Sequence, residues 1–190
     1  MADNKRNLRE ELILAGIDEI NIHGANGFSV RRVAEACKVS SAAPYKHFKD
    51  KKDFISAIID YVNDQWAVVQ DEALQNCEQD VKTLMVEAAV RYLQFLMENP
   101  YYRQILMMKN ADFNNLYHRK PGEINSRTES IMERVRTHYD LSPEVWRRKS
   151  LMFRSILFGS VFMFDSGEFT YSEETLEDIR FIFNREFEVF

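Results

Sequence analysis

The segment Asp80–Asn99, DVKTLMVEAAVRYLQFLMEN, constrains the fold more than any other stretch of the chain. Wound as an α-helix it is apolar around most of its circumference, with only Thr83, Glu87, Arg91, Gln94 and Glu98 forming a narrow polar strip. A helix with so little polar surface must be surrounded by other elements, and the rest of the chain offers helices for this. Leu8, Leu12, Ile13, Ile17 and Ile20 make an apolar face that ends at HGANG, His23–Gly27. Shorter helical patterns cover Val30–Cys37 and the segment ending near Phe48. Phe54, Ile55, Ile58, Ile59, Val62, Trp66 and Val69 share one face of a helix starting at Lys51 or Lys52. Beyond Pro100 come a short helix, a loop through His118–Gly122, a helix over about Glu123–Tyr139, an apolar helix from Pro143 to about Phe164, and a last one from Ser172. No run alternates at the period of a strand. The expected class is all-α, about nine helices in total, with an N-terminal three-helix helix-turn-helix module fused to a larger helical domain.

Composition narrows the setting. The 190 residues are 45% hydrophobic and 29% charged, which suits a globular protein. The longest apolar run, Ser150–Phe164, is 15 residues and contains Arg154, too short for the roughly 20 residues of a membrane span. Charged residues precede any apolar run at the N-terminus, unlike a signal peptide. Cys37 and Cys77 form no CxxC pair and fit a reduced compartment, so a cytoplasmic location is expected. His23, His118 and His138 have no partner at metal-ligand spacing, and no metal or cofactor is expected.

The net charge of −5 is unevenly placed. Residues 1–52 hold ten Lys/Arg and seven Asp/Glu, a net of +3, which leaves −8 for the other 138. The stretch KVSSAAPYKHFKDKKDF, Lys38–Phe54, sets five lysines around a Tyr, a His and two Phe. A basic module on an acidic body points to a polyanion as the module's partner. A short helix, a tight turn and a second short helix, braced by a longer first helix, form a helix-turn-helix whose second short helix enters the major groove of DNA. Ser40 or Ser41 can cap that helix. Pro44 then falls in its first turn, where a missing N–H is tolerated. Small Ala42 and Ala43 allow close approach, and the N–H groups at the start of this helix and of the Lys51 helix are expected to attract phosphates.

The stretch GANGFSVRRVAEACKVSSAAPYKHFKDKKDFISAI resembles the N-terminal signature of the TetR family of bacterial transcriptional regulators. Ser29, Val33-Ala34, Val39-Ser40, Tyr45, Phe48 and Lys51 fall at the family's positions. Lys38 stands where the turn usually holds Gly, and Ala43 and Pro44 stand where Thr and Leu are common. The resemblance implies a DNA-binding homodimer, by family habit a repressor, whose larger domain binds a small effector. The division expected is 1–52 for DNA binding and 53–190 for effector binding and dimerisation. The residues implied toward DNA are Ser29, Arg31, Arg32, Lys38, Ser40, Ser41, Ala42, Ala43, Tyr45, Lys46, His47 and Lys51.

For the body, the Met- and Phe-rich composition suggests an elongated apolar pocket bounded by Trp66, Tyr92, Phe95, Met108, Phe113 and Phe158, with Arg91 and Arg154 as polar anchors. Ser155 and Gly159 leave a smooth patch on the Pro143 helix. With Phe162 there and Ile179 and Phe183 on the last helix, they are expected to pair two subunits. The competing class is an all-helical enzyme or ligand-binding protein whose basic module does not bind DNA specifically. Catalysis requires a constellation of reactive groups that this sequence does not present, so a non-enzymatic regulator is expected.

Overall fold

A computed structural model describes residues 7–75, 80–107 and 126–186. Among these residues the fold is all-helical: α1 (Leu8–Gly27), α2 (Val30–Ala36), a 3-10 turn (Pro44–Lys46), α3 (Lys51–Gln75), α4 (Val81–Glu98), α5 (Pro100–Leu106), α6 (Ser126–His138), α7 (Pro143–Ser166) and α8 (Glu173–Glu186). Among the described residues eight α-helices stand where about nine helices were expected over the whole chain, and the segment around Pro44 is a 3-10 turn. No helix among the described residues is long and apolar enough to cross a membrane.

Two compact units make up the chain: residues 1–65 with 99–123, and residues 66–98 with 124–190. In the first, α1 packs on α2 and α5. Phe54, Ile55, Ile58, Ile59 and Val62 of α3 are all fully buried there. Phe54 joins Phe48 in a stacked pair at 3.9 Å and meets Phe28 edge-on at 5.3 Å. The start of α3 thus completes the N-terminal unit's core, which is why the contact boundary lies beyond residue 52. Gly16 admits this packing. A Cβ there would stand 2.6 Å from Ile58 Cδ1.

In the second unit α4 lies against α6, α7 and α8, and no residue from Val81 to Met97 is exposed. The central, buried helix expected at Asp80–Asn99 is present. Asp80 caps it, accepting hydrogen bonds from the Thr83 N–H (3.0 Å) and hydroxyl (2.7 Å). Phe183 of α8 stacks on Phe153 of α7 at 4.7 Å. Arg180 Nε donates to Glu87 Oε1 at 2.8 Å, tying α8 to α4.

Candidate nucleic-acid interface

The turn after α2 is fixed by backbone geometry. Lys38 N–H donates to Glu35 O at 3.0 Å and Val39 N–H to Ala34 O at 3.0 Å, the paired closure of a Schellman motif. Lys38 occupies the position that requires a left-handed residue, with φ 56°. Its Cβ costs roughly 1–2 kcal/mol that glycine would not. Lys38 is exposed there, as are Ser40, Ser41 and Ala42, while Ala43 is half-buried.

The segment that follows is not the short α-helix expected. Ala43 N–H donates to Ser40 O, Lys46 N–H to Ala43 O and His47 N–H to Pro44 O, each closing a three-residue step at 2.9–3.1 Å. Proline has no N–H to give to the residue four back, and its ring crowds that carbonyl, so the tighter 3-10 turn forms. The ring of Pro44 is buried, as is Phe48 four residues on. Between these anchors Tyr45, Lys46 and His47 are exposed, Tyr45 by 57%. Lys49 and Lys52 are exposed beside them.

Two acids organise the surroundings, and neither was singled out in the sequence. Glu19, 7% exposed on α1, accepts the Ser29 N–H at 3.1 Å and Arg32 Nε at 2.9 Å. Arg32 also donates to Gly27 O at 2.6 Å. Arg32 thus has partners within the chain, while its side chain remains 45% exposed. Its guanidinium pKa is raised chiefly by the Glu19 hydrogen bond. Ser29 caps α2 through its hydroxyl, which accepts from Arg32 N–H at 3.4 Å. Arg31 is exposed and paired with Glu35 at 2.8 Å. An acid on the apolar stripe of α1 was the available signal for Glu19.

The second acid is Asp50. It accepts the N–H groups of Lys52 (2.8 Å) and Asp53 (2.9 Å), while Asp53 accepts the Lys49 N–H at 2.7 Å. The expectation that the start of the Lys51 helix offers free amides to phosphate is therefore corrected at these two groups. The bond from Asp53 N–H is the main cause that holds the Asp50 carboxyl below the ordinary carboxylate range. Lys51 itself is half-buried, its Nζ donating to Asn26 O at 3.3 Å and standing 6.0 Å from the Phe28 ring centre. The spacing Asp50-x-x-Asp53 before an apolar run is a cap pattern that marks these residues in the sequence.

Residues expected around a ligand come together in part. Trp66 meets Tyr92 edge-on at 4.8 Å and Phe95 at 5.5 Å. Arg154 lies 6.0 Å from the Phe158 ring centre. Burial pushes the Tyr92 phenol up to about 12, against the opposing pull of the Arg154 charge. Met108 and Phe113 lie outside the described residues. Arg91 donates to Gln94 at 2.9 Å. Among the described residues no three His, Cys, Asp or Glu gather where they could hold a metal ion.

Of the residues expected at a dimer interface, Ser155 is exposed and Phe162 is 68% exposed. Gly159 is half-buried, and a Cβ there would meet nothing closer than Met163 Cε at 3.9 Å. Ile179 and Phe183 are both buried within the chain's own fold, Phe183 completely. The large apolar side chains that α7 and α8 do expose are Val145, Leu151, Phe162, Met163, Phe181 and Ile182.

Residues 12–58 match the family model of bacterial regulatory proteins, tetR family. No curated protein sequence matches the chain. Among solved structures, it is similar to a TetR family transcription regulator from Marinobacter aquaeolei VT8, with 19% identity, a TM-score of 0.71 and 93% of each chain covered. The fatty acid degradation regulator FadR from Bacillus halodurans shares 16% identity at a TM-score of 0.69, covering 95% of this chain and 96% of that one. The transcriptional regulator FadR from Bacillus subtilis, solved in complex with stearoyl-CoA, shares 12% identity at a TM-score of 0.66, covering 92% and 96%. The segment that matches the tetR family model contains the left-handed turn at Lys38 and the exposed Tyr45–His47 head, so the likeness to that family lies in the N-terminal module.

Proposed function

We propose that this protein is a transcriptional repressor that binds an operator as a homodimer and is released by a small hydrophobic effector. Residues 1–52 act as the DNA-binding part and 53–190 as the effector-binding and dimerising part. The observation that carries this reading is the exposed head of Tyr45, Lys46 and His47, held between the buried Pro44 and Phe48 and flanked by Lys38, Lys49 and Lys52. Cations on a rigid turn suit phosphate contacts, and short side chains at Ser40, Ser41 and Ala42 leave the bases within reach. A homodimer is supported by the exposed Leu151, Ser155, Phe162, Phe181 and Ile182, which water covers poorly and a second copy would cover well.

The effector reading rests on the aromatic cluster Trp66, Tyr92 and Phe95, with the charge of Arg154 acting on Tyr92, which suits an apolar chain carrying an anionic end. Stearoyl-CoA in the Bacillus subtilis relative supports a long-chain acyl thioester as the class. A ligand shifts DNA binding only if it favours one arrangement over another, and α3, continuous from Lys51 to Gln75, is the element proposed to couple the two events. The test is a mobility shift on duplex DNA selected from a random library, with and without a long-chain acyl thioester. A retarded band that the thioester dissolves is expected. No selected duplex at all contradicts the DNA reading, whereas a band indifferent to a panel of acyl thioesters contradicts the effector reading alone.

A further inference from the structure

The segment that would meet the bases is a 3-10 turn, and a single residue accounts for it. Pro44 cannot donate to Ser40 O, so that carbonyl instead accepts the Ala43 N–H at 2.9 Å and three-residue steps continue to His47. Pro44 O also accepts the Phe48 N–H at 2.9 Å, in a four-residue step that closes the turn. From Ala43 to Lys46 such a turn rotates roughly 60° further and rises roughly 1.5 Å more than an α-helix over the same residues. Ala43 and Lys46 are thereby brought into line along the axis, and Tyr45 and His47 are re-aimed with them. Direct readout depends on hydrogen bonds whose donor–acceptor distances span only about 2.7–3.2 Å, so an offset of this size changes which base edge a side chain can reach. The geometry is also held from both sides. The Pro44 ring is buried, and Phe48 is buried in its stack on Phe54 with Arg9 Cζ 5.5 Å from its ring centre.

We infer that Pro44 is a specificity-determining residue: without touching a base it locks the reading segment as a 3-10 turn and so sets which base pairs Tyr45, Lys46 and His47 meet. This rests on the DNA-binding reading proposed above. Restoring an N–H at position 44 lets the segment relax toward an α-helix, with the charges of the module unchanged. Base preference should then change while the sequence-independent phosphate attraction persists.

The experiment selects duplexes from one random library with the wild-type protein, Pro44→Leu and Pro44→Ala, and then measures each protein on every consensus and on unrelated DNA. Wild type should yield one consensus and each variant another, differing in at least one base pair per half-site. Each variant should discriminate against the wild-type site by tenfold or more, while affinity for unrelated DNA stays within about threefold. Far-ultraviolet circular dichroism and melting identify any variant that fails to fold, and the two substitutions err in opposite directions of size, so the result is read from whichever folds. Identical consensus sequences, with site affinities within twofold, overturn the assignment for Pro44 and leave DNA binding intact. If neither variant folds, Pro44 is a folding residue and the assignment is overturned. A wild-type protein that selects no consensus overturns both the DNA-binding reading and this one.

Discussion

The head between Lys38 and Lys52 and the outer faces of α7 and α8 are inside-out versions of one another. At the head the aromatic residues Phe48 and Phe54 are buried and the cations Lys46, Lys49 and Lys52 are exposed. On α7 and α8 the large apolar residues Leu151, Phe162 and Phe181 are each more than 60% exposed, while Arg180 is drawn in and paired with Glu87. One exposed Leu or Phe means little, since apolar atoms make up much of any protein surface. Several on two helices of one unit call for a protein partner, as exposed cations on a rigid turn call for an anionic one. The chemistry that each region leaves to solvent distinguishes their partners better than net charge does.

The comparison breaks most visibly if buried and exposed aromatics prove alike. Phe54→Ala and Phe183→Ala each remove a fully buried ring and should cost about 3–5 kcal/mol in denaturant unfolding. Phe162→Glu, on the exposed face, should leave the unfolding of the subunit within about 0.5 kcal/mol but weaken self-association by about 2 kcal/mol or more. Sedimentation at micromolar concentration should show wild-type dimers and Phe162→Glu monomers. A large loss of subunit stability on Phe162→Glu would place that ring in a core after all.

Smaller effects sharpen the account of the head. Glu19→Ala strands the Ser29 N–H and releases Arg32, and should cost about 1–3 kcal/mol by the same unfolding assay. Acid should loosen the start of α3. The Asp50 carboxyl lies below its ordinary range, so its contribution is complete above the ordinary carboxylate pKa and is lost as pH falls through the lowered value. A melting profile of Asp50→Ala should then lose that part of the acid dependence. Lys38→Gly should give the smallest change and the only gain, about 1 kcal/mol, by relieving the left-handed residue at φ 56°.

The two regions also differ in how far they could be read in advance. Apolar spacing located the helices because burial of one stripe is what forms them, and it gave the buried α4 because the polar strip there is so narrow. The turn at Lys38 was legible through the resemblance, whose pattern usually holds Gly at that position. The 3-10 turn was not, since a proline in the first turn of an α-helix is ordinary, and only the structure shows that Ser40 O is the carbonyl left without the Pro44 N–H and taken by Ala43. Ile179 and Phe183 show a different limit. Their stripe on α8 says that something covers them, but the same stripe serves a subunit's own core or a second copy equally well. Glu19 escaped notice because hydrophobic periodicity treats an acid on a stripe as an interruption, when here it joins α1 to the start of α2.

The most direct measurement of the central claim is the affinity of the wild-type protein for its selected duplex between 50 and 200 mM salt. Lysines that neutralise phosphates release counterions, so the logarithm of affinity should fall linearly with the logarithm of salt, losing roughly a thousandfold or more across this range if a dimer makes six or more such contacts. Lys52→Ala, outside the reading segment, should make that slope shallower by about one for each phosphate contact removed. An affinity that does not change with salt, in wild type and Lys52→Ala alike, would contradict the assignment of the exposed head to DNA.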